Sequence, residues 1–258
     1  MVNNGVETEL TYSNKVSDRN KFKYTLTANF TYIVNEVTKF MGDKSPDQIY
    51  LIREGVSYKS LYGYNKIGIF QTDKEAKDYM YANGVTPKAG DIKFEDRNGD
   101  GKLDYRDQKV LGNTIPKINF GATLGFSYYG FNLDVLIQGI SGVTVNTRDR
   151  WNMPLGASGG MIPVRWLNAW SPENPNSDLP IMKLNDAWNL RRVSNFWADD
   201  LTYLKIRNIQ FGYTFPKDLL KNIDLNIYCN LQNYFTFTDK GWAGFDPERN
   251  VFLISSSP

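Results

Sequence analysis

Polar and apolar residues alternate one by one along several stretches of this chain. In 117–129, Ile118, Phe120, Ala122, Leu124, Phe126 and Tyr128 share one face, and Lys117, Asn119, Thr123 and Ser127 share the other with Gly121 and Gly125. In 21–33, Phe22, Tyr24, Leu26, Ala28, Phe30 and Tyr32 oppose Lys21, Lys23, Thr25, Thr27, Asn29 and Thr31. In 131–139, Phe131, Leu133, Val135 and Ile137 oppose Asn132, Asp134 and Gln138. In 224–238, Leu225, Ile227, Cys229, Leu231, Phe235 and Phe237 oppose Asn226, Asn230, Gln232 and Thr236. Near the start, Val6, Leu10 and Tyr12 oppose Glu7, Glu9, Thr11 and Ser13. A period of two is that of a β-strand, and it predicts strands at 5–14, 21–34, 117–129, 131–140, 201–215 and 224–238. A polar face of Glu, Lys, Thr, Asn and Gln suits a water-filled or plug-filled lumen, whereas a dry sandwich core leaves such groups without partners. Runs of roughly 10–14 residues also match the ~9–11 that a tilted strand needs to cross a bilayer.

The stretch 201–215 breaks phase: Ile209, Phe211, Tyr213 and Phe215 keep one parity, while Leu204 and Ile206 keep the other. Two geometries produce this pattern. One is a bulge near Arg207. The other is a strand whose first half projects above the membrane, where charge is cheap, and this second geometry is the expectation.

Short connections join these strands in hairpins, through VSDRN, Tyr129-Gly130 and KDLLKNI. Two long segments, about 35–116 and 141–197, separate the hairpins. Barrels of the outer membrane have short turns on the periplasmic side and long loops outside, so both insertions are expected on the extracellular face. The first contains a short helical pattern near 73–83, with Asp73 as the expected N-cap. The pattern therefore predicts an all-β chain: one antiparallel meander, paired in chain order, with long loops at one end.

Several long stretches are also specific in their wording. FWADDLTYLKIRNIQFGYTFP followed by LQNYFTFTDKGWAGFDPE resembles the C-terminal end of SusC/RagA-type TonB-linked outer-membrane proteins. EGVSYKSLYGYNKIGIFQT, AGDIKFEDRNGDGKLDYRDQKVLGNTIPKINFG and WLNAWSPENPNSDLP carry the same resemblance, so it covers most of the chain. The resemblance implies that 1–258 is the C-terminal portion of a transmembrane barrel of roughly 22 strands, and hence that its sheet is open, because six or seven strands do not close at that diameter. It further implies import of oligosaccharides or peptides across the outer membrane, with a SusD-like surface lipoprotein as lid. It implies coupling to the TonB complex through a part N-terminal to this chain. Contact with outer-membrane lipid follows from the same architecture.

Composition narrows the alternatives. A net charge of +2 gives no reason to invoke nucleic acid. No apolar run reaches the ~18 residues of a spanning helix, which leaves barrels open. The absence of histidine removes imidazole chemistry and ligation, and the lone Cys229 builds neither an internal disulfide nor a thiolate metal site. MVNNGVETELTY has neither a basic start nor an apolar segment, so the chain is expected to be a fragment of an exported protein.

Two groups of residues are candidates for binding. DRNGDGKLDYRD has EF-hand-type spacing, with Asp96, Asn98, Asp100, the Lys102 carbonyl, Asp104 and Asp107 at loop positions 1, 3, 5, 7, 9 and 12. Oxygen-only donors favour Ca²⁺; the alternative is a turn whose side chains hold their own backbone. Trp151, Trp166, Trp170 and Trp188 lie among Asn, Asp and Arg in the second insertion. They suit stacking on a sugar, or else packing of the loops into a rigid cap. Tyr58, Tyr62 and Tyr64 read as strand packing. Catalysis has little support, because Asp199–Asp200 point to opposite faces of a strand and Asp246 and Glu248 read as solvated charges in a turn. The rival to the barrel is a secreted β-rich module that binds Ca²⁺ and glycan, its apolar faces packed together as a sandwich.

Overall fold

A computed structural model describes residues 1–15, 21–42, 49–79, 85–148, 154, 162–184, 186, 188–190, 192–216, 223–239, 242 and 246–248. In chain order the elements are β1 (Val2–Ser13), β2 (Lys23–Glu36), β3 (Tyr50–Leu51), β4 (Ser60–Gly63), β5 (Lys66–Ile69), α1 (Asp73–Tyr79), β6 (Ile92–Phe94), β7 (Lys109–Gly112), β8 (Ile118–Tyr128), β9 (Phe131–Ser141), β10 (Thr144–Asn146), β11 (Ala198–Asp200), β12 (Tyr203–Thr214) and β13 (Asn226–Thr238).

The six long strands are those the alternation predicts. They form one antiparallel sheet in the order β1-β2-β8-β9-β12-β13, each strand beside the next long strand in sequence. The sheet does not close on itself, and β1 and β13 are its edges. Register sorts the side chains into rows. One row runs Tyr12–Leu26–Leu124–Val135–Ile209–Leu231, and the next runs Tyr24–Phe126–Leu133–Phe211–Cys229. On the opposite face a row runs Ser13–Thr25–Gly125–Asp134–Gln210–Asn230. The apolar face is uncovered: Leu10, Phe211 and Leu231 expose 70%, 52% and 46% of their surface. Among the described residues no second sheet packs on it, which removes the sandwich that the rival reading requires. An uncovered apolar face of this extent is a membrane or partner surface.

Two local devices hold the hairpins in register. Tyr129 and Gly130 have φ of +46° and +86°, the pair of positive values that a two-residue turn needs to match strand twist. Gly139 leaves room on the apolar face for the Phe120 ring, since a Cβ there would sit 2.3 Å from the ring's Cζ.

The phase break is a bulge, which corrects the expectation of a strand projecting out of phase. Register shifts between Ile206 and Asn208 against both neighbours, so Ile206 pairs with Ile137 and Phe235 while Ile209 pairs with Val135 and Leu231. The extra residue, Arg207, lets Leu204 and Ile206 rejoin the apolar face and turns Lys205 to the polar one.

Both insertions leave from one end of the sheet, where β2 and β9 finish and β8 and β12 begin. They fold together. Phe70, Ala76, Ile92, Phe94 and Leu103 of the first enclose Trp188 of the second. Trp166, Leu190 and Trp197 form another core, and Ile140, Val143, Val145, Leu201 and Tyr203 a third at the base. Short sheets β3-β4-β7, β5-β6 and β10-β11 brace this cap. Helix α1 starts at Asp73, but the cap is Thr72, whose Oγ1 accepts the Glu75 N–H at 3.1 Å, while Asp73 accepts the Ala89 N–H at 2.9 Å.

Candidate functional site

The loop 96–107 is held by its own carboxylates. The two Asp96 oxygens accept the Gly99 and Gly101 N–H groups at 2.8 and 2.9 Å. Asp107 is fully buried and accepts N–H groups of Arg97, Asn98 and Asp104 at 3.0, 3.4 and 2.9 Å. It closes a capping box with Asp104 on the short 3-10 turn Tyr105–Asp107. Asn98 Oδ1 accepts the Asp100 N–H at 3.0 Å, and Asp100 Oδ1 accepts the Lys102 N–H at 2.9 Å. The Arg106 guanidinium pairs with Asp100 and, at 2.8 Å, with Asp104. That pairing holds the Asp104 carboxyl below its ordinary value. The donor chemistry suits a hard cation, yet each carboxylate is already engaged. Among the described residues no group of three or more Asp, Glu, His or Cys is arranged to hold a metal.

Of the four tryptophans, Trp151 lies outside the described residues. The other three are interior. Trp166 is fully buried between Phe196 and Trp197. Trp188 packs on Phe94, donates its indole N–H to the Ile92 carbonyl at 2.8 Å, and carries the Arg192 guanidinium 4.5 Å from its ring centre. Trp170 lies against Gly90 and donates to Gln71 Oε1 at 3.1 Å. The indole N–H groups of Trp170 and Trp188 have partners within the cap and all three rings are buried, so they present no free face for a sugar in this structure. Tyr62 is buried in β4 and Tyr64 packs on Phe94, whereas Tyr58 is partly exposed.

A buried polar network stitches the two insertions together. Asp91, 1% exposed, accepts the Asn189 amide at 2.8 Å and the Lys88 N–H at 2.8 Å, and it pairs with Lys183. Asn189 in turn accepts the Ile92 N–H at 2.7 Å and donates to Asp186 at 2.5 Å. Burial pushes the Asp186 carboxyl above its ordinary value and the Arg192 guanidinium below its own. Sequence reading passed over these residues, because a lone Asp or Asn in a loop carries no periodic signal.

The polar face of the sheet carries two shallow grooves. One, about 360 Å³, lies among Lys23, Thr25, Ser127, Asn132, Asp134 and Gln210. Another, about 260 Å³, lies among Asn29, Asn119, Gly121 and Gln138. Both expose amides, hydroxyls and charges suited to hydrogen-bonding solutes. At the loop end of this face Lys205 is buried between Asp246 and Glu248, at 2.9 and 3.1 Å. Its hydrogen bond holds the Asp246 carboxyl below its ordinary value. Asp246 and Glu248 are therefore partners of strand side chains; Asp246 stays half-exposed, as the turn reading expects, whereas Glu248 is largely covered. Asp200 caps the Thr202 N–H at 2.7 Å.

No family model matches the chain. It is 26% identical over 257 residues to TonB-dependent receptor P3 of Formosa agariphila, covering 93% of this chain and 25% of the relative. It is 23% identical to TonB-dependent receptor SusC of Bacteroides thetaiotaomicron, over 88% of this chain and 22% of the relative. Among solved structures the RagAB peptide transporter matches with a TM-score of 0.73 at 23% identity, over 95% of this chain and 26% of that one. The RagAB peptide importer in its open-open state matches with a TM-score of 0.70. The chain thus spans about a quarter of the length of these relatives. An open sheet with one bare apolar face, a polar face opposite and a packed cap at one end matches part of the fold of these structures, and over about a quarter of their length the chain resembles the SusC/RagA-type TonB-dependent receptors of the outer membrane.

Proposed function

We propose that residues 1–258 are one portion of the barrel wall of an importer that carries oligosaccharides or peptides through the outer membrane. The carrying observation is the division of one sheet into a bare apolar face and a polar, grooved face. Lipid is the solvent for the first face, and a hydrated lumen for the second. In this reading the cap stands outside the cell and meets a SusD-like lipoprotein. Energy arrives from the TonB complex through a part of the receptor outside this chain. The role is transport and not catalysis, in keeping with relatives that are receptors. The likeness to the RagAB peptide importer supports the peptide branch.

A Ca²⁺ ion held by Asp96, Asn98, Asp100, the Lys102 carbonyl, Asp104 and Asp107 belongs to the same proposal, on the condition that Arg106 swings away from Asp100 and Asp104. The ion would then supply the positive charge that Arg106 supplies here. With Trp166, Trp170 and Trp188 enclosed in the cap, ligand recognition falls to Trp151, the cap surface and the polar face.

The test is uptake by cells that carry the intact receptor. Fluorescent peptide and oligosaccharide pools should enter only with TonB present and the proton-motive force intact. Accumulation that ignores both would refute the import reading.

A further inference from the structure

Lys205 has 3% of its side chain exposed, although it stands on the polar face of a sheet whose other polar residues are largely open. What covers it comes from beyond β13. Lys205 Nζ binds Asp246 Oδ2 at 2.9 Å and Glu248 Oε2 at 3.1 Å. Glu248 also binds Arg207 at 2.9 Å and accepts the Tyr203 hydroxyl at 3.4 Å. Trp242 packs on the core of Ile140, Val143, Val145, Leu201 and Tyr203 at the foot of the cap. Just beyond β13 the Trp242 N–H donates to the Asp239 carbonyl at 3.0 Å.

The bulge of β12 now has a purpose. Without the extra residue, Lys205 would lie on the apolar face with Ile209 and Phe211, where an ammonium facing lipid is costly. With it, Lys205 and Arg207 both reach the polar side. Arg207 also bonds Gln138 and Asn233 across the two neighbouring strands, each at 3.2 Å, which fixes its guanidinium in place.

We infer that Trp242, Asp246 and Glu248 form a latch, an ion-paired strap that Lys205 and Arg207 hold over the polar face at the cap end of the lumen wall. A desolvated ammonium retains its charge only with partners, so the strap and Lys205 depend on each other. Release of the carboxylates frees the strap and exposes Lys205 together. The ligand-import reading is not needed for this inference.

Hydrogen–deuterium exchange on the intact receptor in lipid nanodiscs tests it without any ligand. In K205M, and equally in the double variant D246N/E248Q, the Glu248 amide, which the Asp246 carboxylate holds at 3.0 Å, should exchange at least tenfold faster while β8 and β9 stay protected. K205R, which keeps the charge, should remain within about twofold of the parent. Unchanged exchange at the Glu248 amide in K205M would overturn the latch. So would loss of protection throughout β8, β9 and β12, which would make Lys205 a support of the sheet. A K205R variant as open as K205M would overturn the ionic basis.

Discussion

Two adjacent residues of β8 make a strict test of which face meets lipid. Leu124 lies in the apolar row between Leu26 and Val135, and Thr123 lies on the other side of the sheet between Thr27 and Leu136. Within Ile118–Tyr128, Leu124 stands about 20 Å along the strand from one end and about 13 Å from the other, at ~3.3 Å per residue. With a tilt of about 40° the whole strand spans roughly 25 Å, matching the ~25 Å apolar band of such barrels, and Leu124 falls near its middle. An arginine there costs about 2–4 kcal/mol, or about 30- to 800-fold in the folding equilibrium. Thr123→Arg faces the hydrated side and should cost under about 1 kcal/mol. The assay is denaturant titration of the intact receptor in phospholipid vesicles, with folded barrel followed by its shifted mobility in unheated gels. Equal costs for Leu124→Arg and Thr123→Arg, or a larger cost at Thr123, would refute the assignment of faces.

Other outcomes follow from the cap and its loops. Trp188→Ala should remove a fully enclosed ring and destabilise the cap by about 3–5 kcal/mol, seen as protease cleavage within both insertions; a pure change in ligand preference with the cap intact would restore a binding role. Under the Ca²⁺ proposal, calorimetry of the intact receptor should give heat with Ca²⁺ that Asp100→Ala abolishes and that tightens in Arg106→Gln, where the competing guanidinium is gone; no heat in any of the three leaves a self-bonded turn. Asp246 has a folded-state pKa below its unfolded value, so its contribution to the latch is present above about pH 4 and is lost as pH falls through the lowered value. A ¹⁹F signal from fluorotryptophan at Trp242 should shift only in that acid range, and the double variant D246N/E248Q should remove the pH dependence.

The long strands were legible because lipid on one side and water on the other impose a strict period of two. Val135, Leu133 and Phe131 could be placed from their spacing alone. The bulge at Arg207 was not, since a bulge and a projecting strand write the same phase break. Pairing with Ile137 and Phe235, residues remote in sequence, decides between them. The cap was harder still. Trp166, Trp170 and Trp188 sit among Asn, Asp and Arg, the same surroundings a sugar site would show, and only the fold reveals that those polar neighbours are interior partners. The clue to the latch was present in the unpaired look of Lys205 and Arg207 within a strand, but its other half lies beyond β13, and no local rule connects the two.

The central claim is that the apolar face of this sheet meets lipid, and Cys229 sits on that face, exposed and beside Phe211. A fluorophore placed on Cys229 of the intact receptor, with any other cysteine replaced, can be quenched from lipid by brominated acyl chains or from water by iodide. The account predicts strong quenching by brominated lipid and almost none by iodide, with the opposite ratio for a label at Asn230 after Asn230→Cys and Cys229→Ser. Iodide quenching at Cys229 without quenching from lipid would contradict it.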